Sequence, residues 1–147
     1  MPLPRARLLD IVCPLMRIGE YSHIGVAALA RVHKALGDET RIRIVNLMAN
    51  RGELCVCDLE SILDISQSKA SRHLAYLKAA GLVADRRDRS WVYYRLVNAN
   101  GPARSAIREM VKALAADERA TRDLQRAETA ARPPACAPIE PARSKAR

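Results

Sequence analysis

Residues 56–96 contain the pattern that most restricts the fold of this chain. Two short amphipathic segments, at about 56–63 and 66–80, are separated only by a turn at residues 64–65. Apolar residues at spacings of four and three give the second segment one buried helix face: Ala70, Leu74 and Leu77. Ser66 is a good N-cap for that segment. Two short helices so close together predict a helix-turn-helix.

The apolar period changes from helical to alternating after Gly81. Residues 82–84 predict one strand and residues 91–96 a second, whose inner face carries Val92, Tyr94 and Leu96. The connection at 85–90 is polar and contains three arginines. This pattern predicts a β-hairpin wing. The expected fold class is therefore mainly α with a small β-hairpin, a winged helix-turn-helix.

Helices are also predicted on both sides of this motif. One runs from about 24 to 36, with Leu29, Val32 and Leu36 as its buried stripe, and one from 39 to 49, capped by Asp38. A single long helix is expected from Pro102 to about 130, and its apolar stripe suits packing against a second copy in a homodimer. We expect an N-terminal extension at 1–22, a winged helix-turn-helix domain for DNA binding and dimerisation at 23–130, and a disordered tail at 131–147.

The charge of the chain indicates the class of its partner. Among 147 residues, 25 are basic and 16 acidic, which gives a formal net charge of +9. Such an excess is typical of proteins that bind nucleic acid or an anionic membrane, and the basic residues concentrate in the predicted helix-turn-helix and wing. The chain has no apolar segment of the ~18 residues that a membrane span needs. We expect a cytoplasmic protein without a membrane partner, whose four cysteines are reduced.

The predicted recognition helix and wing provide candidate DNA contacts. The second helix of a helix-turn-helix enters the major groove, where Gln suits adenine and Arg suits guanine. The candidates for base contacts are Gln67, Ser68, Ser71, Arg72 and Tyr76, with His73 at the edge of that face. Phosphate or minor-groove contacts are expected from Lys69, Lys78, Arg86, Arg87 and Arg89, and Tyr93 is predicted on the outer face of its strand. The alternative for the helix is a merely solvated face. A dimer would read double-stranded operator DNA as an imperfect inverted repeat.

Cys55 and Cys57 form the candidate metal site. Two thiols one residue apart select soft or borderline ions, namely As(III), Sb(III), Cd(II), Pb(II), Cu(I) or Zn(II). Regular helical geometry would hold the two side chains apart, so we expect a bound ion to distort the first turn and to re-aim the recognition helix. Cys13 is the first candidate for a further ligand and Cys136 the second. The alternatives are two buried structural cysteines or a pair that forms a disulfide as a redox sensor.

Five motifs that occur in order resemble those of one family. They are Asp38-Glu39-Thr40-Arg41, Glu53-Leu54-Cys55-Val56-Cys57-Asp58-Leu59, Ser71-Arg72-His73-Leu74, Gly81-Leu82-Val83 and Trp91-Val92-Tyr93-Tyr94-Arg95-Leu96. Together they resemble the ArsR/SmtB metal-responsive repressors over about residues 26–115. The resemblance implies a dimeric winged helix that represses an arsenic-resistance operon and leaves DNA when As(III) or Sb(III) binds. No permanent cofactor is implied.

The sequence departs from the arsenic-responsive members of that family at one position. They carry a third cysteine where this chain has Glu60, so Cys13 or Cys136 is expected to complete the site, or the inducer is a methylated arsenical. In the cadmium- and lead-sensing branch, N-terminal cysteines join the Cys-X-Cys pair of the other protomer, and Cys13 is similar to that arrangement. A Cd(II), Pb(II) or Zn(II) sensor is the alternative within the family.

Two other functional classes fit less well. An arsenate reductase requires an oxyanion-binding loop next to its nucleophile, and the six glycines of the chain form no such loop. A metallochaperone would give the recognition helix and the wing no role. We therefore expect a regulator and not an enzyme.

Overall fold

The structure is a computed structural model that describes residues 25–97 and 102–130. Its elements, in chain order, are α1 (Val26–Leu36), α2 (Glu39–Arg51), β1 (Leu54–Cys55), α3 (Val56–Leu63), α4 (Gln67–Ala79), β2 (Val83–Asp88), β3 (Trp91–Leu96), α5 (Pro102–Leu114) and α6 (Glu118–Thr129). The predicted mainly helical fold with a small hairpin is confirmed. The helix-turn-helix consists of α3 and α4, and the wing consists of β2 and β3.

Side-chain caps fix where α2 and α4 begin. The Asp38 carboxylate accepts a hydrogen bond from the backbone N–H of Arg41 at 2.9 Å, and the Ser66 hydroxyl accepts one from that of Lys69 at 3.3 Å. These caps satisfy N–H groups that have no partner within the helix. Both had been predicted from the sequence, and both are confirmed.

The small sheet has the strand order β1-β3-β2, and both pairings are antiparallel. Strand β1 was not predicted, because two residues are too short to show an alternating pattern. Strand β2 extends to Asp88, further than expected, and the hairpin turns through Arg89, which has a left-handed φ of 53°. The arginine-rich stretch is therefore largely paired strand with a tight turn.

The main core lies between the helices and the base of the wing. The predicted inward residues of α4, namely Ala70, Leu74 and Leu77, are fully buried, and they pack with Leu47 of α2 and other apolar residues. The predicted stripe of α1 is only partly correct. Val32 is buried and Leu36 packs against the core, whereas Leu29 is 41% exposed.

The predicted long C-terminal helix is wrong, because two helices occupy that region. Helix α5 ends at Leu114, and Asp117 caps α6 by accepting a hydrogen bond from the Ala120 N–H at 2.8 Å. The break lets α6 return to α2, where Arg43 donates two hydrogen bonds of 2.7 Å to the buried Asp123 carboxylate. This bidentate pair requires the turn between the two helices.

Several expectations concern parts of the chain outside the described residues. They are the N-terminal extension at 1–22, the tail at 131–147, and the candidate ligands Cys13 and Cys136. Within the ranges 25–97 and 102–130, the helices are all too short or too polar to cross a membrane.

Candidate thiol site and nucleic-acid interface

Cys55 and Cys57 converge at the junction of β1 and α3. Cys55 is the N-cap of α3 and has an extended backbone, with φ −90° and ψ 171°, while Cys57 lies in the first helical turn. Their Cα atoms are 5.4 Å apart, and the structure joins the two sulfurs as a disulfide. Cys55 lies outside the helix and is not bound by helical spacing, so the two sulfurs converge without distortion of the first turn. The effect of a bound ion on that turn stays a prediction.

The Cys55 thiol also serves as the cap of α3. Its Sγ accepts a hydrogen bond from the Asp58 N–H at 3.3 Å, and the buried Asp58 carboxylate accepts one from the Cys55 N–H at 2.9 Å. This reciprocal arrangement is a capping box in which sulfur replaces the usual hydroxyl. An ion on Cys55 therefore binds an atom that already fixes the start of α3.

When reduced, the two sulfurs are of the type that soft ions prefer. They lie at the positive end of the α3 dipole, which favours thiolates. Between residues 25 and 97 and from 102 to 130, no cluster of three His, Cys, Asp or Glu side chains could hold a metal ion.

A small group of aromatic side chains surrounds the thiols. Cys55 and Tyr93 are buried against each other, and Cys57 and Trp91 pack on them. We call these four residues the thiol–aromatic cluster. Tyr93 was predicted to face the DNA, but its ring is only 3% exposed. This prediction is corrected, because the unpredicted strand β1 and its cysteines cover that face of β3.

Arg86 of the wing lies over this cluster. Its guanidinium is 5.1 Å from the centroid of the Tyr93 ring and pairs with the Glu53 carboxylate at 2.8 Å and with Asp88 at 3.3 Å. The hydrogen bonds to Glu53, and then those to Asp88, raise the pKa of Arg86 above its usual range. The side chain is still 48% exposed. Arg86 was predicted to contact DNA, and the structure gives it internal partners as well.

One face of α4 presents polar side chains to solvent. The exposed residues are Gln67, Ser68, Lys69, Ser71 and Arg72, as the DNA-binding prediction requires. Arg72 Nε donates a hydrogen bond to the Ser68 carbonyl at 3.3 Å, which holds the guanidinium along the helix. Arg87 and Arg89 are exposed on the wing. The DNA contacts themselves remain predictions.

His73 turns away from that face towards the cap of α2. Its Nδ1 lies 3.6 Å from an Asp38 oxygen. Burial lowers the pKa of His73 and outweighs the attraction of Asp38. Burial also acts to raise the pKa of Asp38, but the hydrogen bond from the Arg41 N–H and the charge of Arg41 hold it below its usual value. His73 is therefore better placed to join α2 to α4 than to read a base.

Two other predicted contacts have neighbours within the protein. The Tyr76 ring is 39% exposed and lies under the Arg41 guanidinium, 4.2 Å from its centroid. Lys78 pairs with Asp85 of the wing at 2.7 Å, and this hydrogen bond lowers the pKa of Asp85. Sequence reasoning missed Arg41 as a neighbour of the recognition helix, since no local pattern relates it to Tyr76.

Known proteins are similar in sequence to the part of the chain that holds the helix-turn-helix and the thiol pair. Residues 38–85 match the model of the family described as bacterial regulatory protein, arsR family. The chain is 57% identical over 65 residues to the arsenic resistance transcriptional regulator ArsR1 of Pseudomonas putida, which is 44% of this chain and 51% of the relative. It is 44% identical over 68 residues to a cadmium resistance regulatory protein CadC homologue of Staphylococcus aureus, with 46% and 56% covered.

A solved structure is similar in fold. HlyU from Vibrio cholerae superposes with a TM-score of 0.54 at 32% identity, covering 59% of this chain and 91% of that one. The chain spans about half the length of the two regulators from Pseudomonas and Staphylococcus. The matched region contains the helix-turn-helix and the thiol pair. The chain belongs to the arsR family of bacterial regulatory proteins.

Proposed function

We propose that this protein is a transcriptional repressor of an arsenic-resistance operon, released from its operator when As(III) or Sb(III) binds cysteine thiolates. The observation that carries the proposal is the convergence of Cys55 and Cys57 at the start of the helix that leads into the exposed face of α4. The similarity to a Pseudomonas regulator of arsenic resistance supports arsenic as the inducer.

Repression requires the exposed face of α4 in the major groove and the arginines of the wing on the backbone or in the minor groove. A cytoplasmic homodimer would place two copies of α4 on half-sites about one helical turn apart. Bound there, the dimer would compete with RNA polymerase. Arg72 is the residue best suited to reading guanine, and Lys69 to neutralising a phosphate.

Induction would begin at the cap of α3. An ion that takes the Cys55 sulfur competes with the hydrogen bond from the Asp58 N–H, so the start of α3 has to adjust. Helix α3 packs directly on α4, which transmits the change to the reading face. Couplings of this kind are typically about 1–3 kcal/mol, or roughly 5–150-fold in affinity.

A third thiolate would complete a trigonal As(III) site. Cys13 is our first candidate, from the same or the other protomer, and Cys136 is the second. Because the position of the family's third cysteine is Glu60, a methylated arsenical, which needs only two thiolates, is a further candidate inducer. Serine substitutions at Cys13 and Cys136 separate these options.

The second candidate function is a sensor of Cd(II), Pb(II) or Zn(II). The similarity to a cadmium resistance protein favours it. Cd(II) and Zn(II) generally bind four ligands, so this function requires two ligands beyond Cys55 and Cys57.

The deciding experiment is fluorescence anisotropy of fully reduced protein on its own upstream DNA, titrated separately with arsenite and Cd(II). Release by arsenite supports the proposal, and release by Cd(II) alone supports the second function. Release by neither ion contradicts both and directs attention to methylated arsenicals and to oxidation of the Cys55–Cys57 pair. DNA of unrelated sequence is the control for specific binding.

A further inference from the structure

Three residues on three strands lie in one row across the sheet. Cys55 of β1 pairs with Tyr93 of β3, and Tyr93 pairs with Arg86 of β2. The row starts at the candidate ligand and ends on the wing. The thiols are also connected to the DNA-facing surface by the packing of α3 on α4. The row across the sheet is separate from that contact.

The inner half of the row is closely packed. Cys55 is 1% exposed and Tyr93 is 3% exposed, and Cys57 and Trp91 fill the space around them. An ion held by two sulfurs at about 2.3 Å occupies volume next to this ring. Protein interiors have few voids, so the added atom has to displace its neighbours. Tyr93 is the aromatic residue that pairs directly with Cys55.

Two contacts of Arg86 link the outer half of the row to the inner half. One is the Tyr93 ring beneath the guanidinium, and the other is the Glu53 carboxylate, to which Nη2 donates at 2.8 Å and Nε at 3.3 Å. Glu53 lies only two residues before Cys55. A shift of the cysteine therefore reaches Arg86 both through the ring and through the chain at Glu53.

From this arrangement we propose that Tyr93 and the Arg86–Glu53 pair are positioning residues that couple the thiol site to the wing. In the free protein they hold the hairpin that carries Arg87 and Arg89 in its DNA-binding orientation. A ligand on Cys55 and Cys57 displaces Tyr93, weakens the Arg86–Glu53 contact and turns the wing away. The inference rests on the proposed function, since it specifies a route for release.

The test compares Arg86→Gln with Arg87→Gln, which removes the same charge from the neighbouring wing position. Each variant loses one positive charge, so the salt dependence of DNA binding should fall by about one unit in both. Because Arg87 is itself carried by the wing, Arg87→Gln removes one contact that release withdraws, and its fold-change of release should fall less than that of Arg86→Gln. In Arg86→Gln the fold-change should shrink at least threefold, because the free protein has already lost the contact that release disrupts.

Glu53→Gln breaks the same Arg86–Glu53 contact as Arg86→Gln, but it changes the net charge of the protein in the opposite direction. Removing a carboxylate near DNA strengthens binding on electrostatic grounds alone, whereas Arg86→Gln weakens it. Both changes break the same contact, so both should reduce the fold-change of release. If Glu53→Gln or Arg86→Gln retained the wild-type fold-change, the proposal would be overturned.

Fluorescence of Trp91 distinguishes failure of the proposed wing route from failure of the proposed function. Trp91 is the single tryptophan of the chain and packs in the thiol–aromatic cluster, so its emission reports ligand binding without DNA. If arsenite binds and releases the wild type but the variants are released equally, only the wing route is wrong. If arsenite neither changes the emission of Trp91 nor releases the wild type from DNA, the proposed function is wrong. Phenylarsine oxide, which bridges two thiols, then replaces arsenite, and the same fold-change criterion decides the wing route.

Discussion

The recognition helix and the wing are held by different kinds of contact. Helix α4 is anchored by three fully buried side chains, Ala70, Leu74 and Leu77, in the main core. The base of the wing is anchored in the same core by Val83, whereas its outer part is held by exposed ion pairs of Arg86 and by Tyr93 in the thiol–aromatic cluster. Exposed ion pairs typically contribute about 0–1 kcal/mol each, far less than a buried leucine. The reading face is therefore fixed by the fold, while the outer part of the wing can be moved at smaller cost.

The largest expected effect tests the anchoring of the recognition helix α4. Leu74→Ala should lower the free energy of unfolding by about 2–5 kcal/mol, because it leaves a cavity in the main core. Urea denaturation followed by circular dichroism measures it. Ser71→Ala, on the exposed face of the same helix, is the matched control and should change stability by less than about 0.5 kcal/mol. A loss below 1 kcal/mol for Leu74→Ala would mean that α4 is not anchored as described.

The second-largest expected effect tests the thiol pair, which lies beside the wing. Cys57→Ser should abolish release by arsenite, which removes a coupling of about 1–3 kcal/mol, while operator affinity without arsenite stays near that of the wild type. Cys57 is suited to this test because the cap of α3 depends on Cys55 and not on it. Anisotropy with and without arsenite measures both quantities. Loss of folding in Cys57→Ser would instead favour a structural role for the cysteine pair.

A third effect separates sequence reading from general attraction. Arg72→Ala should weaken binding to the operator by about 1–3 kcal/mol and relax discrimination at one base pair, since Arg suits a bidentate contact with guanine. Lys69→Ala is the comparison, because loss of a phosphate contact weakens binding to all sequences alike. Competition between operator and single-base variants checks both. Uniform weakening by Arg72→Ala would reassign this residue to the backbone.

Comparison of the predicted with the observed helices and strands shows which features a local sequence pattern can predict. The bounds of α3 and β3 were predicted correctly, because capping residues and alternation are local signals. Strand β1 was missed because its pairing with β3 joins residues about forty positions apart. That omission also left Tyr93 predicted as exposed, since alternation gives two faces but not which of them is covered.

The candidate site shows the same limit. The sequence identified Cys55 and Cys57, yet the convergence of their sulfurs depends on a backbone change at Cys55, from strand to helix, that periodicity does not register. The contact of Arg86 with Glu53 spans 33 positions and has no sequence signal. Residue type therefore predicted the chemistry, whereas the long-range contacts that connect the site to the wing needed the folded chain.

The smallest expected effect concerns the junction between α2 and α4 at His73. Burial lowers its pKa below 6.5, so the unfolded chain takes up a proton more readily than the folded one. His73 therefore contributes stability that is present above pH 6.5 and is progressively lost below it. Asp38 faces it as an anion in this range, and its own lowered pKa matters only near pH 4 and below, while Arg41, Lys69 and Arg72 oppose the imidazolium. Unfolding free energies at pH 7.5 and 5.5 should show a small decrease that His73→Gln reduces. An increase in stability at pH 5.5 would mean that the pair with Asp38 outweighs burial, and α4 would then be tied to α2 more tightly in acid.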